Sequence, residues 1–237
     1  MPFDDVEALK AATTDQTLAI MLEPVQGEGG VHVPSPSYLK DVRRWCDDRG
    51  LLLIFDEIQT GIGRLGTMFG YESFGVEPDI MTLAKGLGNG IPVGAILAKD
   101  AAAVFAPGDH GSTFGGNVLT CATAHATLRY ILDQNILAHV QEMSAYLQQG
   151  LASLQSKHAC ITEVRGMGLL WAVEFATEMA AAVIEACNDA GLLLNPVRPQ
   201  AIRLMPPLTV SQTELDEAIQ KLGAVLERQL ASDAALS

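Results

Sequence analysis

A lysine and two acids occupy positions at which strands are predicted to end. The stretch MTLAKGLGNGIPVGAIL (residues 81–97) places Lys85 between an apolar run and a group of glycines. The stretch LLLIFDE (residues 51–57) is apolar until it ends in Asp56 and Glu57. Two interpretations are open for these side chains. They are solvated residues at strand ends, where polar residues usually return, or they line the ligand-binding edge of a sheet.

The pairing of a lysine with a carboxylate indicates a specific kind of chemistry. Pyridoxal phosphate needs a lysine amine to form a Schiff base with its aldehyde, and it needs an acid to keep its pyridinium nitrogen protonated. Lys85 and Asp56 end different strands of the predicted sheet, so both side chains can reach one crevice. This arrangement predicts a pyridoxal phosphate site in which Lys85 is the amine and Asp56 is the acid.

The elements that must position these residues alternate between strands and a helix over the first hundred residues. Such alternation predicts an α/β fold with a parallel or mixed sheet covered by helices. The helix begins after a proline and a serine and ends before Gly50, which is the usual asymmetry of helix termini. The predicted segments are strands at 19–25, 51–57, 80–84 and 93–98 and a helix at 36–50.

After Thr113 the sequence is dominated by long, alanine-rich amphipathic stretches. Helices that flank strands in an antiparallel arrangement are typical of a smaller α+β domain. We therefore predict a first domain at 1–135 and a second domain at 136–237. The predicted segments of the second half are helices at 117–134, from there to 157, at 178–190 and at 211–231, and strands within 160–176, 192–195 (LLLN) and 201–205 (AIRLM).

The composition argues against several classes of partner. The net charge of −13 disfavours nucleic acid and anionic membranes, because both attract basic patches. The sequence has no run of 18 apolar residues that could span a bilayer, and its N-terminus lacks the basic and apolar regions of a signal peptide. The 4 cysteines are scattered without a C-x-x-C pair. We therefore expect no metal site, no disulfide framework and a cytoplasmic location.

One motif predicts a different function. GIGRLG (residues 61–66) matches the G-x-G-x-x-G pattern of dinucleotide-binding proteins. That pattern is meaningful only between a strand and the helix that it opens. Here the polar DEIQT precedes it and further glycines follow it. The dinucleotide hypothesis is therefore disfavoured.

Several long motifs, in the same order, carry a resemblance to a known family. The chain resembles the class III, fold type I pyridoxal-phosphate-dependent aminotransferases over nearly its whole length. The resemblance implies that residues 1–135 are part of the cofactor-binding large domain of that fold, followed by a small C-terminal α+β domain. The motifs are LEPVQGEGGVHVP (22–34), LLIFDEIQTGIGRLGTMFGYESFGVEPDIMTLAKGLGNGIPVGA (52–95), HGSTFGGN (110–117), RGMGLL (165–170) and IRLMPPL (202–208).

The family resemblance implies cofactor-binding roles for residues of the DEIQ and AKG motifs. Lys85 corresponds to the Schiff-base lysine, and Asp56 to the acid that bonds the pyridinium nitrogen. Ile58 corresponds to the residue that packs on one face of the ring, and Gln59 to the one that bonds the phenolic oxygen. Glu57, between them, is included among the expected cofactor-binding residues.

The resemblance also implies residues that act on the phosphate and on the substrate. Thr113 corresponds to a residue that contacts the phosphate of the partner subunit's cofactor, with Ser112 near the substrate. The pattern therefore implies a homodimer with shared active sites. Glu28 and Arg203 correspond to a gating pair, in which the arginine leaves the glutamate to bind a substrate carboxylate. From the residues alone, Arg203 is better explained as a solvated arginine on an edge strand, because most arginines are exposed.

The implied reaction moves the terminal amino group of N-acetylornithine to 2-oxoglutarate, in arginine biosynthesis. Ornithine, succinylornithine and 4-aminobutyrate remain alternative amino donors, because those enzymes share the logic of Glu28 and Arg203. A non-catalytic remnant is a further alternative, since the chain is shorter than family members. The resemblance indicates that the segment with the phosphate-binding loop would precede residue 1. We accordingly expect that the isolated chain associates as a dimer or larger and binds pyridoxal phosphate weakly.

Overall fold

The structure of the protein is a computed structural model that describes residues 1–236, with side chains described for residues 1–229. The chain forms two compact units. The first unit comprises Met1–Val25 and Pro34–Leu137. The second unit comprises the chain from Ala138 onward together with the excursion Gln26–Val33. A short loop that lies early in the sequence therefore belongs to the C-terminal unit.

The first unit contains a four-stranded mixed sheet with helices. Its elements are α1 (Val6–Ala12), β1 (Ala19–Leu22), α2 (Tyr38–Arg49), β2 (Leu52–Asp56), α3 (Gly70–Phe74), β3 (Ile80–Leu83), β4 (Ala95–Ala98) and α4 (Val118–Asp133). The strand order is β1-β2-β3-β4. Strands β1, β2 and β3 run parallel, and β4 pairs with β3 in the antiparallel sense. The predicted α/β fold with a mostly parallel sheet is confirmed.

The core of the first unit forms between β2 and the apolar face of α2. In β2, Leu53 and Phe55 are both fully buried and point to the same face of the sheet, because side chains alternate along a strand. Helix α2 buries Leu39, Val42 and Cys46, which follow one another at spacings of three and four residues and share one helix face. The spacing of buried apolar residues in each element therefore matches its secondary structure. For this reason the strand and the helix could both be predicted from the sequence.

The second unit contains an antiparallel four-stranded sheet. Its elements are β5 (Ile161–Met167), β6 (Leu170–Phe175), α6 (Ala180–Asp189), β7 (Asn195–Arg198), β8 (Ala201–Leu204) and α7 (Gln212–Leu236), and α5 (Ile136–Lys157) leads into it. The strand order is β5-β6-β8-β7, and all three pairings are antiparallel. The long helices α5 and α7 are amphipathic, and within residues 1–236 no helix could cross a membrane.

The prediction of a strand at LLLN (192–195) is wrong, because Leu192 takes part in the C-terminal cap of α6. The backbone N–H of Leu192 donates to the carbonyl of Cys187 at 2.8 Å, and that of Gly191 donates to Asn188 at 2.9 Å. With Gly191 at φ +75°, these bonds form a Schellman motif that closes the helix. The strand begins only at Asn195. The short helices α1 and α3 were not predicted, since seven and five residues give too short a periodic pattern.

We expect Leu53→Ala to lower the free energy of unfolding by about 2–5 kcal/mol, because it removes a fully buried side chain and leaves a cavity. Leu18→Ala is the matched control, since Leu18 is 74% exposed and its backbone carbonyl accepts a hydrogen bond from Leu52 on β2. That change is expected to cost about 0.5 kcal/mol or less. Urea unfolding measures both, and equal losses would contradict the assignment of this core.

Candidate active site

The carboxyl ends of the parallel strands bring Asp56 and Lys85 to one edge of the first sheet. Asp56 is the last residue of β2, and Lys85 follows the end of β3 by two positions. The two strands are direct neighbours, with Asp56 aligned to Thr82. Neighbouring strands lie about 4.8 Å apart, and ligands of open α/β sheets bind at this edge. The lysine and the acid therefore share the edge at which such sheets carry chemistry.

Lys85 has an unusual backbone conformation. Its φ is +41°, a region that residues other than glycine rarely occupy. The chain turns sharply here, with the N–H of Gly88 donating to the carbonyl of Lys85 at 3.1 Å. Leu87 is buried, and a Cβ on Gly88 would lie 2.0 Å from the carbonyl oxygen of Ile91. These neighbours fix the turn, and the lysine side chain stays exposed.

Asp56 is half-buried, and a local hydrogen bond orients its carboxylate. Its Oδ1 accepts a bond from the backbone N–H of Ile58 at 3.0 Å. Thr82 on β3 is the register partner of Asp56, so the two side chains lie on the same face of the sheet. The Thr82 hydroxyl is buried and has no hydrogen-bond partner among the described residues. Buried polar atoms are normally satisfied, so this hydroxyl marks a place where a polar ligand group fits.

Glu57 has a different role from Asp56, although the two are adjacent. It is 1% exposed. Its carboxylate accepts hydrogen bonds from the Thr60 hydroxyl at 2.5 Å and from the backbone N–H groups of Gly70 and Tyr71 at 2.7 Å each. A Cβ on Gly70 would lie 2.8 Å from the carboxylate, so glycine is required there. These bonds tie the loop after β2 to the start of α3, and they give no support to a cofactor contact by Glu57.

Burial raises the pKa of Glu57, while the bonds from Thr60, Tyr71 and Gly70 act in the opposite direction. The desolvated carboxyl group therefore holds its proton more strongly in the folded protein than in the unfolded chain. Ionisation of Glu57 consequently affects the stability of the loop that carries the following residues.

The remaining predicted residues of the first unit lie on two loops. Ile58 is half-buried and Gln59 is buried, at 8% exposure, in the loop that Glu57 fixes. Ser112 and Thr113 are exposed in the loop before α4. The Ser112 hydroxyl accepts a bond from the N–H of Gly115 at 3.0 Å and closes a turn. The structure therefore shows Ser112 engaged in its own loop.

The GIGRLG motif forms a coiled loop and does not open a helix. Ile62, Gly63 and Gly66 all have positive φ values, between +56° and +88°. The N–H of Gly63 donates to the carbonyl of Met68 at 3.2 Å, which folds the loop onto itself. In residues 57–75 the next helix is α3, which begins only at Gly70. The strand–turn–helix context of a dinucleotide site is not formed by this part of the chain.

Glu28 and Arg203 form an ion pair within the second unit. The Arg203 Nη1 donates to Glu28 Oε1 at 3.0 Å. Arg203 lies on β8, an interior strand of its sheet, and its side chain is only 9% exposed, whereas that of Glu28 is 68% exposed. The alternative of a solvated edge-strand arginine is therefore wrong. Because the arginine is enclosed by the sheet and the glutamate faces solvent, the glutamate is the partner that can move.

The comparisons with known proteins agree with this geometry. The family model for class-III aminotransferases matches residues 2–226. The chain belongs to the class-III aminotransferases. It is 50% identical over 226 residues to the acetylornithine aminotransferase of Caldanaerobacter subterraneus subsp. tengcongensis, covering 95% of this chain and 58% of that protein. It is 46% identical over 226 residues to that of Methanocaldococcus jannaschii, covering 95% and 56%.

Solved structures of two aminotransferases show the same fold. The ornithine δ-aminotransferase of Plasmodium falciparum superposes with a TM-score of 0.91 at 36% identity, covering 96% of this chain and 60% of that one. The acetylornithine aminotransferase of Elizabethkingia anophelis gives 0.90 at 34% identity, covering 96% and 59%. The chain thus spans less than two thirds of the length of these relatives.

Class-III aminotransferases use pyridoxal phosphate, and the residues at the sheet edge fit this cofactor. An exposed lysine amine, a half-buried carboxylate and a buried hydroxyl without a partner in the described chain are the groups present at Lys85, Asp56 and Thr82. An amine can react with the aldehyde, and an acid can hold the ring nitrogen in its protonated form. The donor set therefore matches the chemistry of the family.

Sequence reasoning missed two arginines that hold the loop of Glu28. Arg165 on β5 donates from Nε and Nη2 to the carbonyl of Gly30, at 3.0 and 2.7 Å. Arg198 on β7 donates from Nε and Nη2 to the carbonyl of Gly29, at 3.2 and 3.0 Å. Arg165 lies in the RGMGLL motif, so the motif was visible, but the partner loop is 135 residues away in the sequence.

We expect Glu57→Gln to lower the free energy of unfolding by about 1–3 kcal/mol at neutral pH. Both oxygens of the Glu57 carboxylate accept hydrogen bonds, whereas a glutamine amide has only one acceptor oxygen. At least one buried N–H or hydroxyl group therefore loses its partner. Glu77→Gln is the matched control, since Glu77 is 67% exposed and pairs with Lys99 at the surface. That change is expected to shift stability by about 0.5 kcal/mol or less.

The effect of Glu57→Gln should also depend on pH. The raised folded pKa means that the native state binds the proton more strongly, so the contribution of Glu57 to stability falls as pH rises from the unfolded pKa, about 4.3, to the folded pKa. The destabilisation caused by Glu57→Gln should therefore be larger at the acid end of this window. Urea unfolding at several pH values tests this, and a difference that grows with rising pH would refute it.

Proposed function

We propose that this protein transfers the terminal amino group of N-acetylornithine to 2-oxoglutarate, with pyridoxal phosphate as its cofactor. The observation that carries the proposal is the meeting of Lys85 and Asp56 at the carboxyl edge of parallel strands in a class-III aminotransferase chain. The choice of donor rests on relatives named acetylornithine aminotransferase, at 50% and 46% identity. An ornithine donor is the alternative, because solved ornithine aminotransferases are similar at 34–36% identity.

The proposed roles follow from the chemistry of the groups at the sheet edge. When bound, the cofactor withdraws electrons from the carbon that carries the transferred amino group. The amine of Lys85 takes the proton from that carbon and later returns one. The Asp56 carboxylate, oriented by the N–H of Ile58, keeps the proton on the ring nitrogen. Ile58 and Gln59 would pack on and bond the ring.

Arg203 is proposed to bind a carboxylate of glutamate or 2-oxoglutarate. A guanidinium presents parallel donors that match both oxygens of a carboxylate. Its buried position holds it in place, while the exposed Glu28 occupies it in the resting state at 3.0 Å. A substrate carboxylate must therefore compete with Glu28, and its apparent affinity is reduced by the fraction of molecules in which the pair is closed. The pair would thus set the preference between substrates.

We also propose that the protein acts as a cytoplasmic homodimer in which Thr113 contacts the phosphate of the partner's cofactor. The loop of Thr113 and the segments around it expose large apolar side chains. Large exposed apolar surface is typical of protein interfaces, and a second copy that packs on these side chains would remove them from water. Ser112 is proposed to lie near the substrate. The exposed side chains are Val104 (79%), Phe105 (73%), Phe114 (81%), Val118 (87%) and Leu119 (67%).

The role of Lys85 predicts where the cofactor becomes attached. Incubation with pyridoxal phosphate and reduction with borohydride should leave a pyridoxyl group on the peptide that contains Lys85, detected by mass spectrometry. Lys85→Ala should abolish this label. Lys99→Ala is the control, because Lys99 follows β4 in the same sheet and is 43% exposed, and it should leave the label unchanged. Labelling at Lys99 in preference to Lys85 would refute the role, and an unlabelled chain would favour a non-catalytic protein.

The proposed role of Arg203 predicts opposite kinetic effects for substitutions at the two residues of the ion pair. In the active enzyme, Arg203→Ala should lower kcat/KM for glutamate by about 10- to 150-fold, since a charged hydrogen bond contributes about 1.5–3 kcal/mol. Glu28→Gln should instead lower the KM for 2-oxoglutarate, because it removes a competing carboxylate. Steady-state kinetics of both half-reactions measure the two changes. Unaltered 2-oxoglutarate kinetics in both variants would show that the pair has no part in substrate binding.

A further inference from the structure

The loop of Glu28 is held in a strained conformation. Val31 has φ +55° and is fully buried, and a β-branched residue in this region of φ is a true outlier. Gly30, at φ +123°, precedes it, and a Cβ on Gly30 would lie 2.9 Å from the His32 ring and 3.0 Å from Arg198. The loop is closed by paired backbone bonds between Gln26 and His32. Such strain persists only where the surroundings fix the backbone, and it concentrates at functional sites.

Two arginines supply the bonds that fix this backbone. Arg165 directs two donors at the carbonyl of Gly30, and Arg198 directs two donors at the carbonyl of Gly29. Bonds from a charged donor are stronger than those between neutral groups. These carbonyls belong to the two residues that follow Glu28 in the sequence, so the backbone is held on the C-terminal side of the glutamate.

The two arginines differ in how strongly their surroundings hold them. Arg165 is 10% exposed, and its Nη1 is paired with Glu163 at 2.7 Å and with Glu174. Arg198 is exposed, and its Nη2 bonds the Nε2 of His32 at 2.8 Å. Because arginine only donates, that histidine nitrogen is the acceptor. Arg165 is therefore enclosed and anchored by two carboxylates, whereas solvent competes for the bonds of Arg198.

We propose that Arg165 is a positioning residue that keeps the Glu28 carboxylate against Arg203 and thereby sets how strongly the enzyme discriminates against dicarboxylate substrates. The guanidinium of Arg165 holds the carbonyl of Gly30 with two hydrogen bonds. Gly30 lies two residues after Glu28 and directly before the strained Val31. The held backbone therefore presents the Glu28 carboxylate to the buried guanidinium of Arg203. The glutamate side chain is 68% exposed, and the backbone that carries it is the part that Arg165 holds. The proposal rests on the proposed function of the Glu28–Arg203 pair and deepens it.

The kinetic test uses Arg165→Lys in the active enzyme. Lysine keeps the positive charge toward Glu163 and Glu174 but cannot form the two-donor fork. Loosening the loop should open the Glu28–Arg203 pair, so the KM for 2-oxoglutarate should fall by about 3- to 10-fold, as expected when a largely closed pair opens. The KM for N-acetylornithine should not fall with it. A general structural defect would raise both, and that result, or an unchanged KM for 2-oxoglutarate, would overturn the proposal.

A double-mutant cycle shows whether Arg165 acts through Glu28. In a Glu28→Gln background, Arg165→Lys should leave the KM for 2-oxoglutarate unchanged, since the competing carboxylate is already gone. A full effect in that background would overturn the proposal. If Glu28→Gln alone leaves this KM unchanged, the proposed function of the pair fails. If Glu28→Gln changes it and Arg165→Lys does not, only the role of Arg165 fails. Arg198→Lys is the comparison variant, with a smaller expected change.

A measurement without substrate tests the same point. The backbone N–H of Val31 donates to the carbonyl of Gly27 at 3.3 Å and lies next to the carbonyl that Arg165 holds. Hydrogen exchange at Val31 should be about 10-fold faster or more in Arg165→Lys, because local opening exposes this amide. Exchange at Leu53, buried in the first unit, should not change. An unchanged rate at Val31 would overturn the proposal whatever the kinetics show.

Discussion

The parallel pairing of β2 with β3 is the constraint on which the candidate active site depends. It aligns Asp56 with Thr82 and therefore places the acid at the sheet edge from which the chain continues to Lys85. Parallel strands end at the same edge, so residues far apart in the sequence are brought together without any direct bond between them. The buried Glu57 reinforces this arrangement, since its three hydrogen bonds fix the loop that leaves β2.

Backbone strain occurs in both units at positions close to the proposed chemistry. Val31 and Ile62 have positive φ values of +55° and +56°, which cost of order 1–3 kcal/mol each. Both side chains are buried, and burying an aliphatic side chain contributes about 1.5–3 kcal/mol. Burial therefore offsets strain of the same size. Lys85 has no such compensation from its own exposed side chain, so its turn is held by the backbone bonds and the tight packing around Gly88.

The arginines of the second unit illustrate how burial determines the role of a charged residue. Arg203 and Arg165 are largely enclosed, and each has carboxylate partners. Breaking such a pair would leave a buried guanidinium without a partner, which costs free energy. Each of these arginines therefore keeps its partners in place. Arg198 makes bonds of similar length from an exposed position, where water screens and competes. The same residue type thus acts as an anchor in one place and as an accessory contact in another.

The sequence by itself determined the family, the α/β class of the fold and most of the helices and strands. It could do so because apolar period, helix termini and the motifs around Asp56 and Lys85 are local properties of the chain. Only the tertiary structure decided what depends on distant contacts. From the sequence, Glu57 was expected to bind the cofactor as Asp56 does. In the structure its buried carboxylate accepts hydrogen bonds from the backbone N–H groups of Gly70 and Tyr71. The apolar run LLLN was predicted to be a strand, but Leu192 closes α6 and the strand begins only at Asn195. The excursion Gln26–Val33 joins the C-terminal unit, and its partners Arg165 and Arg203 lie more than a hundred residues away. Such pairings follow from which groups the folded chain buries together, and no local pattern encodes them.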